Sequence, residues 1–292
     1  MKKDFNKGLL LTSLGSFWWG FVGVLYFEYV AFIGHIELVV HRCLWTAVML
    51  VLTTSIFSKW TLFLKIVSVK RNLIGLFVSG FLIFINWAVW IYAVASERII
   101  DASFGYFIMP IISVLLGYIF FKEKMTNKRI LSISLVLISI FILIFFNLKS
   151  LPWVGIIVAL SWAFYNLIRK KINIDTDIGL LIESLYILPF ALVAFYLIVL
   201  NGMNDFSLTK VELSLFLILA GPMTVIPLFL YVRGVELIGL GPTGMIFYIT
   251  PTLQFLLGYF YYNEDFSLVK FVSFIIIWIA VIIYIKDLYE TN

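Results

Sequence analysis

Ten runs of about twenty mostly apolar residues follow one another along this 292-residue chain, at roughly 8–28, 37–57, 73–95, 102–121, 129–147, 152–168, 178–200, 211–232, 243–262 and 267–285. Such runs leave few options. In hydrocarbon every backbone N–H and C=O must be satisfied within the protein, so a lipid-facing run of this length has to be helical. Burial in a soluble core is no alternative. Hydrophobic residues make up 63% of the chain and charged residues 13%, against about 25% charged in soluble domains. The expected fold is therefore all-α and polytopic, with ten transmembrane helices. Lys2, Lys3 and Lys7 precede the first run, which continues to about Phe27 without a small-residue cleavage site. It reads as a spanning helix and not as a removable signal.

The connections are short, and their charge is one-sided. Of the 21 Lys and Arg residues, sixteen fall on the side that holds both termini, among them Lys59, Lys65, Lys70, Arg71, Lys122, Lys124, Arg169, Lys170 and Lys171. Four fall on the other side (Arg98, Lys149, Lys210 and Lys270), and Arg42 lies inside the second run. Cytoplasmic loops carry the excess of Lys and Arg, so both termini are expected in the cytoplasm. This distribution also accounts for the basic pI of about 9.1 without nucleic acid. Cys43 is the only cysteine, so no internal disulfide can form.

The chain repeats itself. Shifted by 141 residues, Gly80–Lys124 falls on Gly221–Asp265 without a gap, and ten of the 45 positions are identical, including Gly80/Gly221, Pro110/Pro251, Gly117/Gly258 and Glu123/Glu264. Apolar runs match Leu and Ile by chance, but not Pro, Gly and Glu in register. Each unit, residues 1–148 and 149–292, holds five runs. Five is odd, so the second copy enters the membrane from the opposite side. Two inverted five-helix repeats are a common plan of secondary transporters, whose sites lie near the midplane where helices are interrupted.

Several residues are costly enough to need a reason. Pro110 and Pro251 sit near the middle of runs 4 and 9, where each disturbs the preceding turn and frees carbonyls near Tyr106 and Phe247. They either frame a central chamber or serve helix packing. Arg42 and Glu183 are 141 residues apart, each about five residues inside a run. An ionisable group costs ~2.5 kcal/mol or more at the bilayer centre. Inversion places Arg42 toward the outer face and Glu183 toward the inner one, so a salt bridge between them is not expected. Arg42 either holds a substrate carboxylate or phosphate in its planar fork of donors, or snorkels outward to Glu37 or Glu28. His41 with Glu37 and His35 lacks the spacing of a zinc motif, and a coupling proton on His41 or Glu183 suits these residues better. Trp18, Trp19, Trp90, Tyr106, Tyr165 and Tyr248 lie within the runs, some of them near Asn86, Ser103 and Asn166. Apolar walls carrying a few polar groups suit a small organic molecule. The candidate substrate-binding set is therefore Trp18, Trp19, His41, Arg42, Asn86, Trp90, Ser103, Tyr106, Tyr165, Asn166, Glu183 and Tyr248. No Walker A, HExxH or paired-cysteine pattern is present, so neither an ATPase nor a metalloprotease nor a haem or iron–sulfur protein is indicated, and no cofactor is expected.

The residues also resemble the drug/metabolite transporter superfamily, in its EamA branch and its RarD-type group. The resemblance runs over nearly the whole chain: Ser16–Gly20 (SFWWG), His41-Arg42 with Trp45, Ser103–Pro110 (SFGYFIMP), Leu151–Trp153 (LPW), Gly179–Ser184 (GLLIES) and Tyr248–Leu253 (YITPTL). It implies a ten-helix fold of two inverted halves, alternating access and a bacterial inner-membrane location. Phe247, where relatives usually carry Gln, and Arg233, where they carry a small residue, depart from the pattern. Together these readings predict a secondary transporter of a small organic metabolite or drug, acting as a monomer or homodimer with lipid and a coupling proton as its partners. A toxic-compound exporter is the nearest alternative, and a membrane scaffold or intramembrane enzyme is the alternative from another class.

Overall fold

A computed structural model describes residues 2–30, 32–95, 99–147, 153–261, 263 and 267–291. Among them every regular element is a helix. The first run forms α1 (Lys2–Phe17), a π-helical turn (Trp18–Val22) and α2 (Gly23–Tyr29). Next come α3 (His35–Ile56), a short α4 (Trp60–Val67), α5 (Lys70–Ala95), α6 (Ile99–Phe121) and α7 (Asn127–Asn147). The second half comprises α8 (Trp153–Ile172), α9 (Thr176–Leu200), α10 (Val211–Ile238), α11 (Leu240–Ile246), α12 (Ile249–Phe260) and α13 (Leu268–Thr291).

Seven of these segments are long and apolar enough to cross a membrane, and Gly105–Phe121 is a shorter apolar helix. Two of the ten runs depart from a plain apolar helix for local reasons. The last turn of α8 carries Arg169, Lys170 and Lys171. The ninth run is broken at Phe247–Tyr248 into α11 and α12. Large apolar side chains such as Phe81, Phe141, Phe145, Phe190 and Ile282 stay exposed on the bundle surface. An exterior of this kind suits lipid and not water, and the chain is an integral membrane protein.

The break in the ninth run corrects one expectation. Pro110 lies inside an unbroken α6, but Pro251 sits in the first turn of α12, where its missing donor costs little. The Phe247 carbonyl, expected to be freed, accepts from Thr250 N at 2.9 Å. A close approach explains the π turn in the first run. A Cβ on Gly20 would lie 2.8 Å from the Thr250 carbonyl oxygen, and the Thr250 hydroxyl donates to Ser16 O at 2.9 Å. The first helix thus widens one turn where α12 presses against it.

Helix neighbours are few and definite. Helix α10 packs on α1 and α3, α8 on α5 and α6, and α9 on α3 and α5. Helix α11 lies on α6, α12 on the π turn, and α7 on α13. Close packing follows from small residues at the crossings. Gly105 faces the Gly155 carbonyl, and Gly221 faces the backbone of Trp45.

Candidate functional site

A cavity of about 510 Å³ lies between the two halves of the bundle, within the range of small-molecule sites. Its first wall comes from the π turn, α2 and α3, its second from α5 and α6, and its third from α8, α10 and α12. Aromatic rings dominate: Trp19, Phe27, Trp87, Trp90, Tyr106, Trp162 and Phe247 all line it. The polar groups are Arg42, Asn86, Thr224, Thr250 and Gln254, with Glu28 at an exposed end.

Arg42 is the cavity's one cationic side chain among the described residues. Its Nε donates to Thr224 Oγ1 at 3.1 Å. Its guanidinium carbon lies 5.1 Å from the Phe27 ring centre and 5.0 Å from that of Trp87. Such contacts contribute from about 0.5 to about 2 kcal/mol each, enough to offset most of the ~2.5–3.5 kcal/mol cost of the charge at this depth. Among the described residues no carboxylate forms an ion pair with it. Glu37, one of its two expected anchors, accepts instead from the backbone N–H of Asp205 at 2.8 Å and of Phe206 at 3.2 Å. Asn86 donates to Val158 O at 2.9 Å and to Ser161 Oγ at 3.1 Å, joining α5 to α8.

On one side an aromatic plug closes the cavity. Trp19 meets Trp162 edge-on at 5.2 Å and Tyr231 at 5.8 Å. Tyr231 also meets Trp162 at 5.5 Å and Phe247 at 5.6 Å. Helix α8 then runs away from the cavity with Val158, Trp162, Tyr165 and Arg169 on successive turns, a rise of roughly 16 Å. Beyond the plug lies a buried charge cluster. Glu183 accepts from Ser79 Oγ at 2.5 Å and from Tyr165 OH at 3.2 Å, and its Oε1 is 3.6 Å from Arg169 Nη1. Arg169 Nη2 donates to Thr176 O at 3.0 Å, while its Nε has no hydrogen-bond partner among the described residues.

At the basic end two clasps join the halves, and a third contact ties α9 to α10 within the second half. Lys59 Nζ reaches Asp177 at 2.8 Å and Asp175 at 3.3 Å. Burial works against the Lys59 charge, but its bonds to Asp177 and Asp175 prevail and hold its pKa above the ordinary lysine value. Glu123 accepts from Leu240 N at 2.8 Å, Gly241 N at 2.9 Å and Lys170 Nζ at 2.9 Å. A carboxylate at the start of α11 meets the unpaired donors there. Glu236 accepts from Thr176 Oγ1 at 2.8 Å and Arg233 Nη1 at 2.7 Å.

The structure thus gathers Trp19, Arg42, Asn86, Trp90 and Tyr106 around one cavity, and sets the other sequence candidates elsewhere. Tyr165, Asn166 and Glu183 belong to the buried region beyond the plug. Tyr248 is buried and donates to Phe107 O at 2.7 Å, fastening the break in the ninth run to α6. His41 is buried near the loop after α9, accepting from Trp45 Nε1 at 3.1 Å and facing Phe206. Trp18 is half-buried on the π turn, turned away from the cavity. The Ser103 side chain, Leu151, Pro152 and Glu264 lie outside the described residues. Phe27, Trp87, Thr224 and Phe247 were not among the candidates. The one signal for Trp87 is its adjacency to Asn86, and the Phe247 side chain stood out only as a family departure. Arg169, counted in sequence as a loop cation, is instead buried against Glu183. Among the described residues no three His, Cys, Asp or Glu side chains group as metal ligands.

Known proteins resemble the chain closely. The sequence pattern of the EamA-like transporter family matches residues 6–145. Protein RarD of Escherichia coli K12 is 32% identical over 290 residues, spanning 99% of this chain and 97% of its own. An uncharacterized transporter of Vibrio cholerae is 34% identical over 289 residues, spanning 98% of this chain and 94% of its own. A solved crystal structure at 12% identity superposes with a TM-score of 0.71 over 94% of this chain and 96% of its own, which shows a shared fold.

Proposed function

The chain belongs to the EamA-like transporter family, in its RarD-type group of the drug/metabolite transporter superfamily, and from that premise we propose that it is a secondary transporter working by alternating access. Its substrate is a small organic molecule bound in the 510 Å³ cavity. The observation that carries this reading is the cavity's position between residues 1–148 and 149–292, with lining side chains from both.

Helix packing supports two equivalent five-helix halves. Exchanging the first five runs with the second five turns α1 on α10 into α8 on α5, α3 on α10 into α9 on α5, and α6 on α8 into the ninth run on the first. The remaining pairs, α3 on α9, α6 on α11 and α7 on α13, map onto themselves. Such a pattern suits an inverted repeat crossing the membrane ten times. The charge count then sets the clasped end in the cytoplasm, together with both termini. In this orientation the described conformation is closed inward by the plug, the buried cluster and the clasps. The mirrored state would open these and close the cavity's other end. Family membership supports a bacterial inner-membrane location, and catalysis has no part in this reading.

Flux tests it. Purified protein in proteoliposomes should move at least one member of a panel of labelled organic acids, amines, amino acids and nucleosides, with saturation. Replacing Lys59 and Asp177 by cysteines and oxidising the pair should lock the clasp and stop that flux, and reduction should restore it. Saturable flux that continues with the pair oxidised would contradict alternation at this clasp.

A further inference from the structure

The cavity's substrate class can be narrowed, on the premise that this cavity is the transport site. We propose that it selects small organic monoanions, a carboxylate attached to a planar unsaturated body.

The argument starts with Arg42. Its Nε is fixed by Thr224, which itself donates to Ala220 O at 2.8 Å, so the anchor is oriented by α10. Phe27 and Trp87 hold the guanidinium plane. Among the described residues the two Nη atoms have no hydrogen-bond partner, and they are not sealed from the cavity. A guanidinium fixed at Nε and open at its two Nη atoms is a preformed fork, and a carboxylate fits it with two parallel N–H···O bonds. Elsewhere in the fold, buried arginines are matched internally. Arg169 faces Glu183 and Arg129 bonds Asp287 at 2.8 Å. Arg42 has no such ion pair among the described residues, and Glu28, at the exposed end of the cavity, is not within ion-pairing distance of it.

Charge then fixes the number of negative groups. One guanidinium compensates one negative charge, and a second charge left unpaired in an apolar site is strongly penalised. A phosphate monoester, dianionic at neutral pH, is disfavoured on this ground. The walls fix the body. Trp19, Trp90, Tyr106, Trp162 and Phe247 surround the space beyond the fork, and aromatic walls favour a flat ring stacked or edge-on over a polar chain. Asn86 is already committed through its amide nitrogen to Val158 and Ser161.

A ligand series on the full-length protein in nanodiscs decides the matter by thermal shift and by calorimetry. The probes are 3-phenylpropionate, its primary amide, 3-phenylpropylamine, phenylalanine and phenyl phosphate at pH 8. Phenylpropionate should bind at least about tenfold tighter than the amide, the value of a lost charge-assisted pair. It should also bind tighter than the amine and the phosphate, with phenylalanine no better. Arg42→Gln should remove the preference for the acid over the amide, and Arg42→Lys should weaken the acid while retaining the sign of the preference. If Arg42→Gln fails to fold, the wild-type series and Arg42→Lys decide. Equal binding of acid and amide, a preference for amine, phosphate or phenylalanine, or no carboxylate binding at all would overturn the proposal. A preference for amine or amide would leave the transport reading standing, because it concerns the substrate alone. That reading is tested separately by flux and by two-sided access to the cavity.

Discussion

Arg42 and Glu183 occupy equivalent places in the repeat, yet the fold gives them opposite surroundings. Arg42 faces a cavity with Thr224 behind it. Glu183 is sealed among Ser79, Tyr165 and Arg169. Both contacts cross equivalent helix pairs, α3 on α10 and α9 on α5. The two sites differ in depth as well, because Ser79 and Trp87 stand eight residues apart on α5, about 12 Å along its axis. The Glu183 cluster is only partly satisfied, since Arg169 Nε finds no partner among the described residues. An unpaired buried donor is costly, so a rearrangement that gave it a partner would relieve that cost, as a gate that must open requires. Its energetics are testable. Glu183→Ala leaves a charged Arg169 buried and should cost about 3–5 kcal/mol. Adding Arg169→Met removes the orphaned charge and should restore a good part of that loss. Reversible unfolding in detergent would measure the cycle. Additive losses would mean that the two side chains are not energetically coupled.

At the scale of elements, the interrupted first and ninth runs matter most. Gly20 on the π turn has no room for a side chain, because a Cβ would press on the Thr250 backbone. Gly34, at the start of α3, has nothing within 4 Å of its Cβ position. Gly20→Ala should therefore lower stability by about 1–3 kcal/mol, while Gly34→Ala should change it little. Equal melting temperatures for the two variants would remove the close contact between the first and ninth runs. These interruptions show where the sequence was legible and where it was not. The all-helical, lipid-facing character of the chain was readable because burial in lipid imposes length and composition directly. Pro110 and Pro251 looked equivalent by the 141-residue offset. Local geometry separated them, since the chain breaks at Phe247–Tyr248 and leaves Pro251 in a first turn. Tyr248 was read as lining for a similar reason. One residue along a helix turns a side chain by ~100°, so Phe247 faces the cavity and Tyr248 faces α6. Aromatic content cannot tell neighbours apart at that resolution.

At the scale of the molecule, one end is sealed by contacts that run between the halves, and the other carries the cavity. Lys59 with Asp175 and Asp177, and Glu123 with Lys170 and the start of α11, are the bonds that must break if the inner side is to open. All are polar contacts near the ends of helices, where water can replace them at modest cost. Gln254 lines the cavity, is half-buried and has no side-chain hydrogen bond among the described residues, so a cysteine there is a mild reporter. Cys43, the buried native thiol, is first replaced by Ser. The decisive measurement is the reaction of Gln254→Cys with a membrane-impermeant maleimide in right-side-out and in inverted vesicles. Cysteines at the exposed Leu208 and Lys65 report each side of the membrane. The account predicts that Lys65→Cys reacts only in inverted vesicles and Leu208→Cys only in right-side-out ones. Gln254→Cys should react in both, and faster in inverted vesicles when Asp175 and Asp177 are changed to Asn. Reaction of Gln254→Cys from one side alone, unchanged by those substitutions, would contradict alternating access through this cavity.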